Sequence, residues 1–520
     1  MHAHVSSGSL LGVEAIDVDV EVDVAAGLPT FQLVGLAEGG TRESRVRLSA
    51  ALRNSGFDVP MNRRVVVNLA PADVRKDGTH FDLPIALGIL AATGRLPREA
   101  LARHVFAGEI ALSGELRAMQ GALPLALRAR ERAVDALVLP AANVRETCGV
   151  LGLRVLGAQT FNDVVAHLRG EATLPTADDV QVEQPSRQRQ SRFGSVSTPR
   201  LDMAAIRGHR HAKRAIEIAA AGGHHVLMVG PPGSGKTMLA TALHGLLPDW
   251  TLDEQLETSA IYSVAGIRLD GSLVPSRPFR APHSSVTLGG LLGGGGTPRP
   301  GEASLAHNGI LFLDELPEFS REALDALRQP LESRVVTLAR YKRAVSYPAR
   351  FQLVAAMNPC RCGFAGSRHR VCRCQPRSAQ AYRSRVSGPL LDRFDMVVSV
   401  PWIPCSDTQN GPTESESSAA VGARCRAAKL RHAERCHDEP IHSNAEIGNS
   451  PRDDWLRLDD KSASVLERAT EKFGLSGRAA CRIRRVSRTI ADLAGDDHVT
   501  EPAILEALSY RADGFLEEET

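Results

Sequence analysis

Residues 226–237 read Val226-Leu227-Met228-Val229-Gly230-Pro231-Pro232-Gly233-Ser234-Gly235-Lys236-Thr237, followed by Met238-Leu239-Ala240. The four apolar residues predict a short buried strand, and the apolar run after Thr237 predicts the start of a helix. Between them, glycines let backbone N–H groups curl around phosphate oxygens at a helix N-terminus. Lys236 is spaced to reach β and γ oxygens, and the Thr237 hydroxyl to ligate Mg2+. This strand, loop and helix predict an α/β fold with a P-loop. Gly230, Pro231, Pro232, Gly233, Ser234, Gly235, Lys236, Thr237 and Met238 form its nucleotide-contacting set.

Three downstream segments extend the same site. The strand Gly309 to Leu313 ends in Asp314-Glu315. Asp314 would join Thr237 in the Mg2+ shell, and Glu315 would orient and deprotonate the attacking water, since phosphoryl transfer is mostly positioning and charge neutralisation. The strand Phe351 to Ala356 leads to Met357-Asn358, where the amide is a candidate sensor of the γ-phosphate or its water. Taken alone, an Asn before Pro359 is more often a turn residue, so the assignment depends on the P-loop and the Asp314-Glu315 strand. In Leu390-Leu391-Asp392-Arg393-Phe394-Asp395, Arg393 is a candidate finger for the ATP of a neighbouring subunit. The competing reading is a salt bridge within the chain to Asp392 or Asp395. Together these residues predict ATP and Mg2+ as cofactors.

Working outward, 520 residues exceed one ordinary core and predict several domains. From Gly12 to about Leu168, β-rich runs (Ala15 to Val24, Arg64 to Leu69, Val105 to Leu112) alternate with helical ones (Ser44 to Ser55, Leu83 to Thr93, Ala122 to Arg132). They predict a first α/β domain over 1–170. Residues 171–200 are polar and proline-punctuated, as a linker is. A second α/β region spans 201–404, a Ser/Glu/Asn/Gly-rich loop 405–422, and a helical lid 423–520. Hydrophobic residues at 43% and charged residues at 23% exclude a disordered or membrane-embedded chain. Neither a secretory leader nor a spanning stretch is recognisable, so a cytoplasmic location without membrane attachment is expected.

Nine cysteines, an odd number unevenly placed, do not form a secreted disulfide framework. Cys360-Arg361-Cys362 and Cys372-Arg373-Cys374 put four thiols within reach of one structural Zn2+, with His369 as a substitute ligand. The spacing is tighter than the usual C-x2–4-C, so a loop of free thiols is the alternative. Residues 321–400 carry 15 Lys plus Arg against 5 Asp plus Glu, while the whole chain has a formal charge of only +2. This stretch could face phosphate. Within it, Val335 to Leu338 and Ala344 to Tyr347 read as a hairpin whose tip offers Arg340, Tyr341, Lys342 and Arg343. These suit DNA backbone phosphates and a stacked base; a solvated turn is the plain alternative.

The order of P-loop, Asp314-Glu315, Asn358, the Arg393 segment and Ser476-Gly477-Arg478 resembles the AAA+ class that includes magnesium chelatase ATPase subunits and MCM helicases. Arg277-Pro278-Phe279-Arg280-Ala281-Pro282-His283, the Gly289 to Gly296 run, Pro300-Gly301-Glu302 and Asn358-Pro359-Cys360 resemble the magnesium chelatase-like YifB/ComM family more closely. The chain departs from it at Ser284, His209 and Arg361, where the family usually has histidine, glutamine and proline. The resemblance implies a Lon-protease-like (S5-type) N-terminal α/β domain, an AAA+ P-loop core and a C-terminal lid. It implies a homo-hexameric motor acting on single-stranded or branched DNA, with branch migration in recombination or natural transformation as the activity and recombination proteins as further partners. It makes Arg393 a finger in trans and Arg478 a sensor in cis, with Gly208 and His209 beside the adenine. It also implies a site for a Ser/Lys peptidase dyad, but Phe81-Asp82-Leu83-Pro84-Ile85-Ala86-Leu87-Gly88 holds no nucleophile and Ala122-Leu123-Pro124-Leu125 no base. Three functions stay open: a DNA motor, a chelatase-like ATPase that remodels a protein partner, and an ATP-dependent peptidase lacking its dyad.

Overall fold

A computed structural model of the chain describes residues 1–35, 44–58, 63–72, 76, 78–177, 179, 201–267, 273–296, 298–340, 343–367, 370–404, 416–439, 441–448 and 453–511, the side chains of 340, 343, 453 and 454 excepted. The first sheet is built on strict alternation. In Glu14–Ala25 the residues Val18, Val20, Val22 and Val24 are buried, while Asp17, Asp19, Glu21 and Asp23 point away from that core. Its strands are β1 (His2–Leu11), β2 (Glu14–Ala25), β3 (Thr30–Val34), β4 (Arg64–Ala70), β5 (His104–Phe106), β6 (Ala136–Pro140) and β7 (Arg154–Ala158). They lie in the order β3-β4-β2-β1-β5-β6-β7. Helices α1 (Ser44–Asn54), α2 (Asp82–Ala92), α3 (Ala122–Glu131) and α4 (Phe161–Leu168) accompany the sheet, and α2 is buried along its whole length. The chain does not leave this sheet at 171: Leu174 is buried and Pro175 O accepts from Gly157 N–H at 2.9 Å. Most of the expected linker, 178 and 180–200, lies outside the described residues.

The second sheet is wholly parallel, in the order β9-β10-β11-β8-β12, from β8 (Val226–Val229), β9 (Phe279–Arg280), β10 (Ile310–Leu313), β11 (Gln352–Met357) and β12 (Met396–Ser399). The P-loop strand β8 therefore lies between β11, which carries Asn358 at its tip, and β12. Helices α5 (Arg210–Gly222), α6 (Lys236–Leu246) and α7 (Leu252–Ala265) belong to this region. A capping box of Thr251 with Glu254 starts α7, and Gly266 in the left-handed conformation ends it. Helix α7 also packs against α3 of the first sheet: Leu256 and Ala260 share one core with Ala122, Leu125 and Ala126.

The longer helices that follow are α8 (Pro376–Arg383), α9 (Ser418–Arg435), α10 (Asp460–Phe473), α11 (Gly477–Ala494) and α12 (Glu501–Leu508). Their starts follow the expected chemistry. Ser417, Asp459 and Ser476 each accept a backbone N–H of the first turn. A buried polar knot holds α9 to α11: Asp492 takes hydrogen bonds from Arg435 (2.7 Å), Arg488 (2.9 Å) and Asn444 (2.8 Å). Thr489 of α11 and His224, just before β8, are 2.7 Å apart in a buried contact that joins lid to core. Of the expected loop 405–422, residues 405–415 lie outside the described set and 418–422 are already helical.

The expected hairpin forms. Strands Val335–Arg340 and Arg343–Pro348 pair antiparallel, and Tyr347 Oη donates to Pro298 O at 2.8 Å, joining the hairpin to the glycine-rich segment. Tyr341 and Lys342, and the side chains of Arg340 and Arg343, lie outside the described residues, as does His369. Among the described residues no helix is long and apolar enough to cross a membrane.

Candidate nucleotide site and cysteine cluster

The loop after β8 has its shape because nothing else fits. A side chain at Gly230 would begin 2.0 Å from Val400 O, and Gly233 and Gly235 hold φ of +74° and +88°. Gly235 caps α6, whose first residue is Lys236. The Lys236 ammonium, almost buried, donates to Gly230 O (2.7 Å), Pro231 O (2.9 Å) and Asn358 Oδ1 (3.2 Å). Burial pushes its pKa below the ordinary lysine value, against the pull of Asp314 and Glu315. Thr237 Oγ1 donates to Asp314 Oδ2 at 3.0 Å, so the two expected Mg2+ ligands already touch. Glu315 follows in the left-handed conformation, φ 52°, with its N–H on Asp314 Oδ1 at 2.9 Å.

A nucleotide fits these residues on one further observation. Ser234 Oγ is buried without a hydrogen-bond partner, the kind of orphan a phosphate oxygen satisfies. Lys236 and the α6 N-terminus would hold the phosphates, with Thr237 and Asp314 for Mg2+. Met238 lies exposed on α6. Gly208 (φ +67°) packs on Ile403, and His209 at the start of α5 lies 4.0 Å from where a Gly235 Cβ would stand. Burial, aided by Lys213, lowers the His209 pKa, and its Nδ1 is buried without a partner.

Arg393 and Arg478 meet elsewhere. Both line a cavity of about 360 Å³ with Arg334, Arg482 and Arg485, and no P-loop residue borders it. Arg393 pairs with Glu332 rather than with Asp392 or Asp395, and its Nε has no partner. Arg482 holds the finger segment from the lid, donating to Asp392 O (3.0 Å) and Phe394 O (2.9 Å). Neither Arg482 nor the cavity was foreseen, because the 90-residue separation leaves no periodicity to read.

The four candidate zinc ligands converge. Cys360 Sγ is 3.4 Å from Cys362 Sγ and 3.6 Å from Cys372 Sγ, Cys362 and Cys372 are 3.6 Å apart, and all four sulfurs lie within 4.8 Å of one another.

A parallel sheet with the P-loop strand between β11 and β12, and Asp314-Glu315 at the tip of β10 beside Thr237, define a P-loop ATPase of AAA+ type. The comparisons narrow this. The family described as "Magnesium chelatase, subunit ChlI" matches residues 202–408, "Subunit ChlI of Mg-chelatase" matches 20–143 and its C-terminal family matches 415–511. The chain is 44% identical over 511 residues to "Competence protein ComM" of Haemophilus influenzae, covering 98% of this chain and 97% of that one. It is 40% identical to "Uncharacterized protein YifB" of Escherichia coli, covering 98% and 96%. It is 22% identical to "DNA replication licensing factor MCM4" of Arabidopsis thaliana over 50% of this chain and 27% of the relative. The chain belongs to the YifB/ComM family of magnesium chelatase-like AAA+ ATPases. The family implies ATP and Mg2+ as cofactors and links one relative, by its name, to competence.

Proposed function

We propose that the chain is an ATP-driven motor that assembles as a homo-hexameric ring and moves along DNA, with branch migration as its activity. The observation that carries the ring is the cavity of Arg393 and Arg478, two cations converging where the chain's own P-loop does not reach. Two arginines so placed suit the γ-phosphate of an adjacent subunit. This reading gives Arg478 a role in trans and departs from the cis role implied by resemblance. Glu315 serves as base, Lys236 and Asn358 neutralise and sense the γ-phosphate, and Gly208 and His209 border the adenine. One Zn2+ on the cysteine cluster completes the cofactors.

DNA as the polymer is supported by the basic stretch 321–400, by the hairpin that ends in Arg340 to Arg343, and by the competence protein's name. The first domain, over 1–170, serves as a Lon-like scaffold without peptidase chemistry, the core spans 201–404 and the lid 423–520. A chelatase-like ATPase acting on a protein partner is the second reading, favoured by the chelatase families that cover the chain. Steady-state ATPase with and without single-stranded or branched DNA, at defined salt, separates the two. Stimulation by DNA of a rate that Glu315→Gln abolishes supports the motor. Hydrolysis indifferent to DNA at low salt refutes it and favours the protein-remodelling ATPase.

A further inference from the structure

Residues 358–375 carry the chain from the sensor strand β11 to α8, and the described residues among them belong to no helix or strand. Something other than backbone pairing must hold this stretch. Four thiolates on a tetrahedral Zn2+, with Zn–S near ~2.3 Å, would stand about 3.8 Å apart. The observed separations of 3.4, 3.6 and 3.6 Å are close to that, and far from the roughly 2.05 Å of a disulfide. The Ala365 N–H donates to Cys360 Sγ at 3.3 Å and the Cys374 N–H to Cys372 Sγ at 3.4 Å, the outer contacts that settle thiolates on a metal. Four thiolates and one Zn2+ leave two negative charges. Arg361 and Arg373, set in sequence between the paired cysteines, put two cationic side chains in the same stretch.

The cluster sits against the hydrolytic site on two sides. Cys360, buried, comes two residues after Asn358, whose Oδ1 accepts from Lys236. At Gly363, between the two cysteine pairs, a Cβ would stand 2.4 Å from Pro232 Cδ, so this backbone lies directly on the P-loop. Cys374 comes two residues before α8.

We propose that the four thiolates bind one Zn2+ and that this ion, in place of secondary structure, positions Asn358 and braces Pro232, so that its loss slows ATP hydrolysis. Each bound thiol gives up its proton to solvent on metallation. Acting through Asn358 and Pro232, the cysteines are positioning residues. The coupling rests on the ATPase reading above, whereas the metal site does not.

The test uses the full-length protein. Zinc per chain is measured by mass spectrometry, and the Co2+ form is examined for the thiolate charge-transfer and intense d–d bands of a tetrahedral tetrathiolate site. One zinc per chain, lost in Cys372→Ser/Cys374→Ser and retained in Cys148→Ser, is the expected result; no zinc, or octahedral cobalt, overturns the site. ATPase kcat and KM are then compared for the holoprotein, for protein stripped by a chelator and for stripped protein given Zn2+ back. Stripping should lower kcat about tenfold or more, the scale of lost supporting contacts, with KM little changed, and zinc should restore it. Unchanged kcat overturns the coupling, as does an equal rise in KM. Restoration by zinc rules out irreversible damage as the cause, and a far-UV circular dichroism spectrum unchanged by stripping rules out an unfolded chain. Protein that binds zinc yet never hydrolyses ATP would fault the ATPase reading and the coupling but not the site.

Discussion

Glu315→Gly separates the strain of the Glu315 backbone from the use of its carboxylate. Glu315 holds φ 52° and ψ 47°, a left-handed conformation that costs an L-residue about 1–2 kcal/mol. Glycine removes that cost but gives the unfolded chain more freedom, a loss of about 0.5–1 kcal/mol. The difference is a net gain of roughly 0.5–1 kcal/mol. In a cooperative unit of roughly 150–250 residues each kcal/mol moves the midpoint by about 2–4 °C, so a rise of about 1–4 °C is expected. The N–H that donates to Asp314 Oδ1 belongs to the backbone of residue 315 and survives the change. Hydrolysis should fall about 10²–10⁴-fold, since the proposed base is gone. Glu315→Gln is the companion: it keeps the strained backbone, so its midpoint should stay with the wild type while its rate falls equally. Thermal melts and phosphate release on the two variants read both effects. A Glu315→Gly melt at or below the wild type refutes the strain argument, and a Glu315→Gln enzyme that turns over normally refutes the catalytic assignment.

Arg393→Ala and Arg478→Ala should each cut hydrolysis steeply, up to about 10³-fold for the finger. Mixing Arg393→Ala subunits with Glu315→Gln subunits should restore part of the rate, because one kind keeps the base and the other the finger; no recovery in mixed rings argues against action in trans. The lid knot predicts an acid limit. Burial alone would raise the Asp492 carboxyl, but Arg435, Arg488 and Asn444 hold it below its ordinary value. A carboxyl depressed on folding contributes stability above its unfolded value, near ~3.9, and that contribution is lost as pH falls through the lower folded value. Asp492→Asn should therefore flatten the acid limb of a urea-midpoint profile and cost about 3 kcal/mol near neutrality, because Arg488 remains buried and Arg435 half-buried without their counter-charge. A variant as stable as the wild type at neutral pH would show that the knot contributes little.

Much of the fold was legible because it is local. The valines of Glu14–Ala25 alternate, Ser44–Asn54 and Ala122–Glu131 fall where the apolar spacing puts them, and the P-loop spells out its own strand, turn and helix. The Thr237 contact with Asp314 could be expected because both chemistries serve one ion. What could not be read was convergence across long separations. Arg435 and Asp492 are 57 residues apart, and Arg393 finds Glu332 rather than either neighbouring aspartate. Backbone direction, not side-chain type, decides such pairs. Pro175, in a polar run that looks like a linker, pairs with Gly157 because a single edge hydrogen bond needs no apolar pattern.

The shared core of α3 and α7 sets how force travels through the molecule. Leu256 and Ala260 are buried among Ala122, Leu125 and Ala126, Gly121 N–H reaches Ser263 O at 3.2 Å, and a side chain at Gly266 would collide with Gln120. The first sheet is thus clamped to the same helix whose far end carries Glu254, bonded to Arg277 ahead of β9. Any tilt of α7 would carry the first sheet with it, because the clamp fixes α3 to that helix.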